Sequence, residues 1–131
     1  MLFHTFSSQE ERRAFDGGVF FEIQFCRMPK KTEVEIITAV DSINFWLDDS
    51  LYVSGDDQNA FLQEYDSIFD CGIYNNLRTG TIDPYGINYY GSDLIDTIIA
   101  KLLNIKPTDY EMLVEWLNTA KKYNGFYILG V

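Results

Sequence analysis

The last third of the chain sets the tightest limits on what this sequence can fold into. Ser92 is a suitable N-cap for a helix over Asp93–Ile105, in which Leu94, Ile95, Ile98, Ile99, Leu102 and Leu103 recur at helical spacing. Pro107 ends that helix, because proline has no N–H to donate and its ring clashes with the preceding turn. Thr108 and Glu111 then form a capping box that opens a second helix from Asp109 to about Tyr123. Its apolar stripe is Met112, Leu113, Trp116, Leu117 and Ala120, and Lys121 and Lys122 complement its C-terminal dipole. Asn124-Gly125 caps it, and Phe126–Val131 reads as a closing strand tightly integrated with the helix before it.

The upstream residues supply shorter elements. Ser7 with Glu10 and Ser8 with Glu11 are overlapping capping boxes for a short helix, which Asp16-Gly17-Gly18 stops. In Val19–Cys26, Phe21, Ile23 and Phe25 alternate with Glu22 and Gln24, which predicts a strand with one buried and one wetter face. Thr32–Leu47 carries Ile36, Ile37, Val40, Ile43 and Leu47 near a 3.6-residue period; its β-branched content leaves a strand open over Glu33–Thr38, but length and period favour a long amphipathic helix, with two acids, Asp48 and Asp49, unfavourably placed at its C-terminus. A short strand over Leu51–Val53 and a turn at Ser54–Asp57 precede a helix from Gln58 to Phe69. Asp83-Pro84-Tyr85-Gly86 is a turn signal, followed by a short strand over Ile87–Tyr90. The expectation is one α+β domain over residues 1–131, a small sheet packed against about four helices.

Composition narrows the class. Hydrophobic residues make up 47% of the chain, which is far from a disordered composition. No run approaches the roughly 20 apolar residues of a membrane span. The N-terminus lacks the basic and apolar regions of a secretory signal, which leads to an expected cytoplasmic location. The two cysteines, Cys26 and Cys71, are too few for a disulfide scaffold, and Cys26 reads as a buried small hydrophobe. His4 is the only histidine and stands near a terminus, so triad chemistry has little to build on. Neither paired Cys/His zinc spacing nor a glycine-rich phosphate loop is present, and the acid pairs do not fit a calcium-binding loop. No catalytic residue, metal or cofactor is expected, and the chain is read as a non-enzyme.

Charge points towards a partner. The chain has twenty acids against ten bases, a net of −10. Between Lys31 and Arg78 it has no Lys or Arg, yet ten acids fall there. Such a segment repels nucleic acid and anionic membrane and attracts cationic proteins. Asp48, Asp49, Asp56 and Asp57 surround Leu51-Tyr52-Val53, and Glu64 and Asp66 follow. Tyrosine is enriched at interface hot spots. Asp48, Asp49, Tyr52, Asp56, Asp57, Glu64 and Asp66 are therefore the expected partner-binding residues.

Three segments carry a family resemblance: Gly17-Gly18-Val19-Phe20-Phe21-Glu22, Gly86-Ile87-Asn88-Tyr89-Tyr90, and Trp116-Leu117 with Asn124-Gly125-Phe126-Tyr127-Ile128-Leu129-Gly130-Val131. Together they resemble bacterial immunity proteins of contact-dependent growth-inhibition systems, in particular those that guard against ribonuclease toxins. The resemblance implies a cytoplasmic α+β protein that binds a basic toxin domain tightly, often over its active site, with no catalytic residues of its own. Ribonuclease domains need a positive cleft for phosphates, and an acidic, aromatic surface suits that cleft. Two other classes fit less closely: an acidic nucleic-acid mimic, which calls for acids spaced regularly along one face, and a small carboxylate-dependent hydrolase, which calls for a deep cleft with paired acids.

Overall fold

The computed structural model describes residues 1–16 and 19–130, so the glycine turn expected at Gly17-Gly18 and the end of the closing strand at Val131 lie outside the described residues. The helices are α1 (Gln9–Asp16), α2 (Val34–Ile37), α3 (Gln58–Tyr65), α4 (Ile95–Ile105) and α5 (Tyr110–Ala120). The strands are β1 (Phe20–Phe25), β2 (Leu51–Ser54), β3 (Gly72–Ile73), β4 (Thr79–Gly80), β5 (Ile87–Tyr90) and β6 (Phe126–Leu129). They form one antiparallel sheet in the order β2-β1-β6-β5-β3-β4. The fold is α+β, as expected.

Strand alternation sends neighbouring side chains to opposite faces, and both faces are covered. On the first, Phe21, Ile23 and Phe25 of β1 join Leu51, Val53, Tyr90, Phe126 and Ile128 in the main core. Helices α3, α4 and α5 close this core with Phe61, Tyr65, Ile98, Leu102, Leu113 and Leu117. Trp116 stacks on Phe25 at 4.1 Å between ring centroids and meets Phe126 edge-on at 5.9 Å. Leu2 and Phe3 also enter this core, held by their backbone amides, which donate to the Asp109 carboxylate. Gly125 turns the chain from α5 into β6 at φ +80°, and any Cβ there would strike the Tyr90 carbonyl.

The second face departs from the sequence reading. β1 is buried on both sides, Glu22 and Gln24 included. The long helix expected over Thr32–Leu47 is absent: only α2 and a 3₁₀ turn at Val40–Ser42 form, and an extended loop follows. Tertiary hydrogen bonds have taken the backbone groups a helix would use. The Tyr127 hydroxyl donates to the Ile37 carbonyl at 2.7 Å, the Gln24 amide to the Asn44 carbonyl at 2.6 Å, and the Tyr52 hydroxyl to the Leu47 carbonyl at 2.6 Å. Thr38 turns its own hydroxyl onto the Val34 carbonyl, 2.8 Å away, a bond that competes with helix continuation. Ile37 and Ile43 from this segment pack on Ile87, Tyr89, Tyr127 and Leu129, so residues 32–50 lie as a cover over the face opposite α3, α4 and α5. Cys26 is fully buried in the same cluster, as the sequence indicated.

The remaining boundaries are closer to expectation. α1 forms where the capping boxes place it, with the Ser8 hydroxyl accepting from the Glu11 amide at 3.1 Å. α3 stops at Tyr65, four residues short of the expected Phe69. The Thr108 capping box does not form; Asp109 precedes α5 in a left-handed conformation at φ +60°.

Candidate functional site

The most unusual group in the molecule is the carboxylate of Glu22. It lies in β1, is 1% exposed, and has no cation within ion-pairing distance among the described residues. Burying an unpaired charge costs several kcal/mol unless hydrogen bonds replace its water, on the order given for buried ions generally. Four donors within 3.0 Å do so here. Trp46 N–H reaches Oε1 at 2.7 Å. Leu47 N–H, the Ser50 hydroxyl and the Gln24 side-chain amide reach Oε2 at 2.9, 2.6 and 3.0 Å. Two of these donors are consecutive backbone amides of one loop, whose carbonyls at Leu47 and Asp49 are met by the Tyr52 hydroxyl and the Trp116 indole.

That loop is strained. Trp46 sits at φ +67°, in the left-handed region that non-glycine residues seldom occupy, at a cost of about 1 kcal/mol. Helix α1 braces the loop from another side. The Arg12 guanidinium lies 4.0 Å from the Trp46 ring centroid, and Gln9 donates to Asp48 at 2.9 Å. Beneath, Trp46 stacks on Tyr52 at 6.2 Å. The result is a loop braced from several sides that exposes Phe45 (45%) and Trp46 (37%) beside the exposed carboxylates of Asp48 and Asp49.

A groove of about 250 Å³ adjoins this loop, its lining including Val40, Phe45, Tyr85, Gly86, Leu129 and Gly130. Tyr85 is 83% exposed at the tip of the turn that the sequence indicated. Asn88, fully buried, secures that turn: it accepts from the Asp83 amide at 2.8 Å and donates to the Asp83 and Ile128 carbonyls, each at 2.9 Å.

The expected partner-binding residues do not come together as one surface. Tyr52 is the clearest correction: it is fully buried, with its ring against Phe6 and Phe20. Burial, and then the neighbouring Glu22 charge, push its hydroxyl well above the ordinary tyrosine range. Its position between two acid pairs suggested exposure, but strand β2 turns it inward. Glu64 accepts from the Thr108 amide at 3.1 Å and its hydroxyl at 2.8 Å, and Asp66 accepts from the Ile82 amide at 3.1 Å. Both carboxylates tie loops of the fold together. Asp56 and Asp57 lie in the 3₁₀ turn Gly55–Asp57, at the far end of β2 from Asp48 and Asp49. A four-residue strand separates those pairs by roughly 13 Å at 3.3 Å per residue.

The base-free segment is likewise divided. Glu33, Glu35, Asp41, Asp48 and Asp49 belong to the cover over one sheet face, whereas Asp56, Asp57, Glu64, Asp66 and Asp70 flank or lie on α3 over the other. Arg27 pairs with Asp49, and Lys101 pairs with Asp70 at 3.2 Å. The sequence reading missed Phe45 and Trp46 as presented aromatics and Glu22 as their support. The sequence offered little signal, since Glu22 and Gln24 alternate with apolar residues as on any half-exposed strand.

Among the described residues no cluster of three or more His, Cys, Asp or Glu side chains could hold a metal ion, and no helix is long and apolar enough to cross a membrane. Comparison with protein-family models, with curated proteins and with solved structures found no match for this chain.

Proposed function

We propose that this protein is a binding module that docks a cationic protein surface through the Phe45–Asp49 loop and its neighbouring groove, acting as an immunity protein that covers the RNA-binding cleft of a ribonuclease toxin. The observation that carries this reading is the exposed pair Phe45-Trp46, braced from several sides and flanked by carboxylates. Aromatic anchors in a pre-ordered loop lose little entropy on binding, and adjacent acids steer a basic partner. Cytoplasmic location and toxin identity come with the family resemblance and belong to the proposal.

The acidic nucleic-acid mimic fits less well, because the carboxylates of the base-free segment are split between the two faces of the sheet. A mimic needs them in one regular array.

The test is to identify a basic toxin domain encoded beside the gene and co-express the two, scored by cell growth and by binding of the purified proteins. Wild-type protein restores growth. Reversing Asp48 and Asp49 to lysine slows association and its effect fades at high salt, whereas Phe45→Ala speeds dissociation by about tenfold or more, the weight of one hot-spot residue. Reversal of Asp56 and Asp57 leaves binding unchanged if the loop face alone docks. Equal loss from both pairs would move the interface to the β2 edge, and absence of any binding would remove the toxin reading.

A further inference from the structure

We propose that Glu22 is a positioning residue: its carboxylate is the acceptor that holds the Trp46–Leu47 backbone in its positive-φ turn, and the rest of the fold stands without it. The functional meaning of this assignment rests on the reading of the Phe45–Asp49 loop as a docking element. The assignment itself concerns the free protein.

The argument begins with what else covers this sheet face. Ile37 and Ile43 do so with ordinary apolar side chains against Ile87, Tyr89, Tyr127 and Leu129. Covering a sheet therefore does not require a charge. Among the described residues the one fully buried carboxylate lies beneath the stretch where the chain takes a positive φ at Trp46. An apolar residue at position 22 would leave the Trp46 and Leu47 amides and the Ser50 hydroxyl without their present acceptor. Those donors would regain water by swinging outward, and Trp46 would relax to negative φ. The charge and the strain thus offset each other: the strained turn places two amides on one carboxylate, and the carboxylate repays the turn.

The sheet does not depend on that exchange. β1 is bonded on one edge to β2 over four residue pairs and on the other to β6 over four more. The opposite side chains of β1, Phe21, Ile23 and Phe25, are buried in the main core. Removing the Glu22 charge leaves all of these in place. Two outer braces, Arg12 against Trp46 and Gln9 against Asp48, hold side chains of the loop but supply no acceptor for its amides.

The experiment is residue-resolved amide hydrogen exchange on the full-length protein, comparing wild type with Glu22→Gln and Glu22→Asp. Glu22→Gln keeps the size but turns a hydrogen-bond donor towards donors; Glu22→Asp keeps the charge but falls one methylene short. Both are expected to raise exchange at Trp46 and Leu47 by at least about tenfold, the effect of losing one hydrogen bond to a charged group. The amides of Ile23, Phe25 and Ile128 keep their wild-type protection. Unchanged protection at Trp46 and Leu47 overturns the proposal. So does equal loss across β1 and β6, or unfolding of both variants, because each would make Glu22 a support of the whole sheet. Binding kinetics with the toxin domain separate this from the functional reading. A loop that is less often in its competent shape slows association in proportion and leaves dissociation unchanged, in contrast to Phe45→Ala. If the toxin domain fails to bind wild type, the docking reading falls while the exchange result still decides the role of Glu22.

Discussion

The two faces of the sheet are covered by opposite means. On one side, α3, α4 and α5 lay regular apolar stripes onto Phe21, Ile23, Phe25, Phe126 and Ile128. On the other, residues 32–50 form almost no regular structure and are held by side chains reaching up from the strands: Glu22, Gln24, Tyr52 and Tyr127. The first cover satisfies its own backbone and can be built from periodicity. The second has its backbone satisfied by the sheet, so its outer surface is free to carry Phe45, Trp46 and Val40 in the open. The larger apolar cluster lies on the helical side, and the exposed aromatics Phe45 and Trp46 lie on the loop side.

The strongest way to break this comparison is to remove the element both covers share. β6 lies between β1 and β5 and contributes Phe126 and Ile128 to one side and Tyr127 and Leu129 to the other. A chain ending at Asn124 loses both ladders of the sheet's centre. It is expected to show no cooperative thermal transition and no near-ultraviolet circular dichroism. A truncated protein that still melted cooperatively would mean that the helical layer is self-sufficient.

Single truncations sharpen the contrast. Leu117 of α5 is fully buried in the helical core, and Leu117→Ala should cost about 2–5 kcal/mol in urea unfolding, the range for large-to-small core changes. Val40 lies in the loop-side cover and is 61% exposed; Val40→Ala should stay within about 0.5 kcal/mol of wild type. Similar costs at both positions would contradict the contrast between the two covers.

The same asymmetry explains what could be read from the sequence. Helices α4 and α5 and strand β6 were legible because apolar periodicity and a proline break agree with local structure, although α5 ends at Ala120, four residues before the expected Asn-Gly cap. Residues 32–47 carried a helical period as well, but the partners that override it, Tyr52, Gln24 and Tyr127, come from three strands, two of them distant in sequence. No local pattern records such bonds. Tyr52 misled for the same reason: flanking acids suggest exposure, while its inward direction is set by pairing with β1 and by the hydroxyl's bond to Leu47. The acid pairs were visible as pairs, but not that β2 holds them apart.

The smallest effect concerns the one ion pair that ties the loop cover to the basic turn after β1. Arg27 and Asp49 are paired, with side chains 43% and 45% exposed, so water screens most of their attraction. Asp49 is also fixed independently, since the Trp116 indole donates to its backbone carbonyl at 3.0 Å and Ser50 is bonded to Glu22 next door. The pair therefore has little ordering left to do. A double-mutant cycle with Arg27→Ala and Asp49→Ala should give a coupling of about 0.2–1 kcal/mol that shrinks with added salt. Because Arg27 competes with any incoming cation for Asp49, Arg27→Ala alone should leave stability nearly unchanged and speed association with a basic partner. A larger coupling that resisted salt would place charge pairing among the forces that hold the loop cover, beside the neutral donors that meet Glu22, and the contrast between the two faces would have to be redrawn.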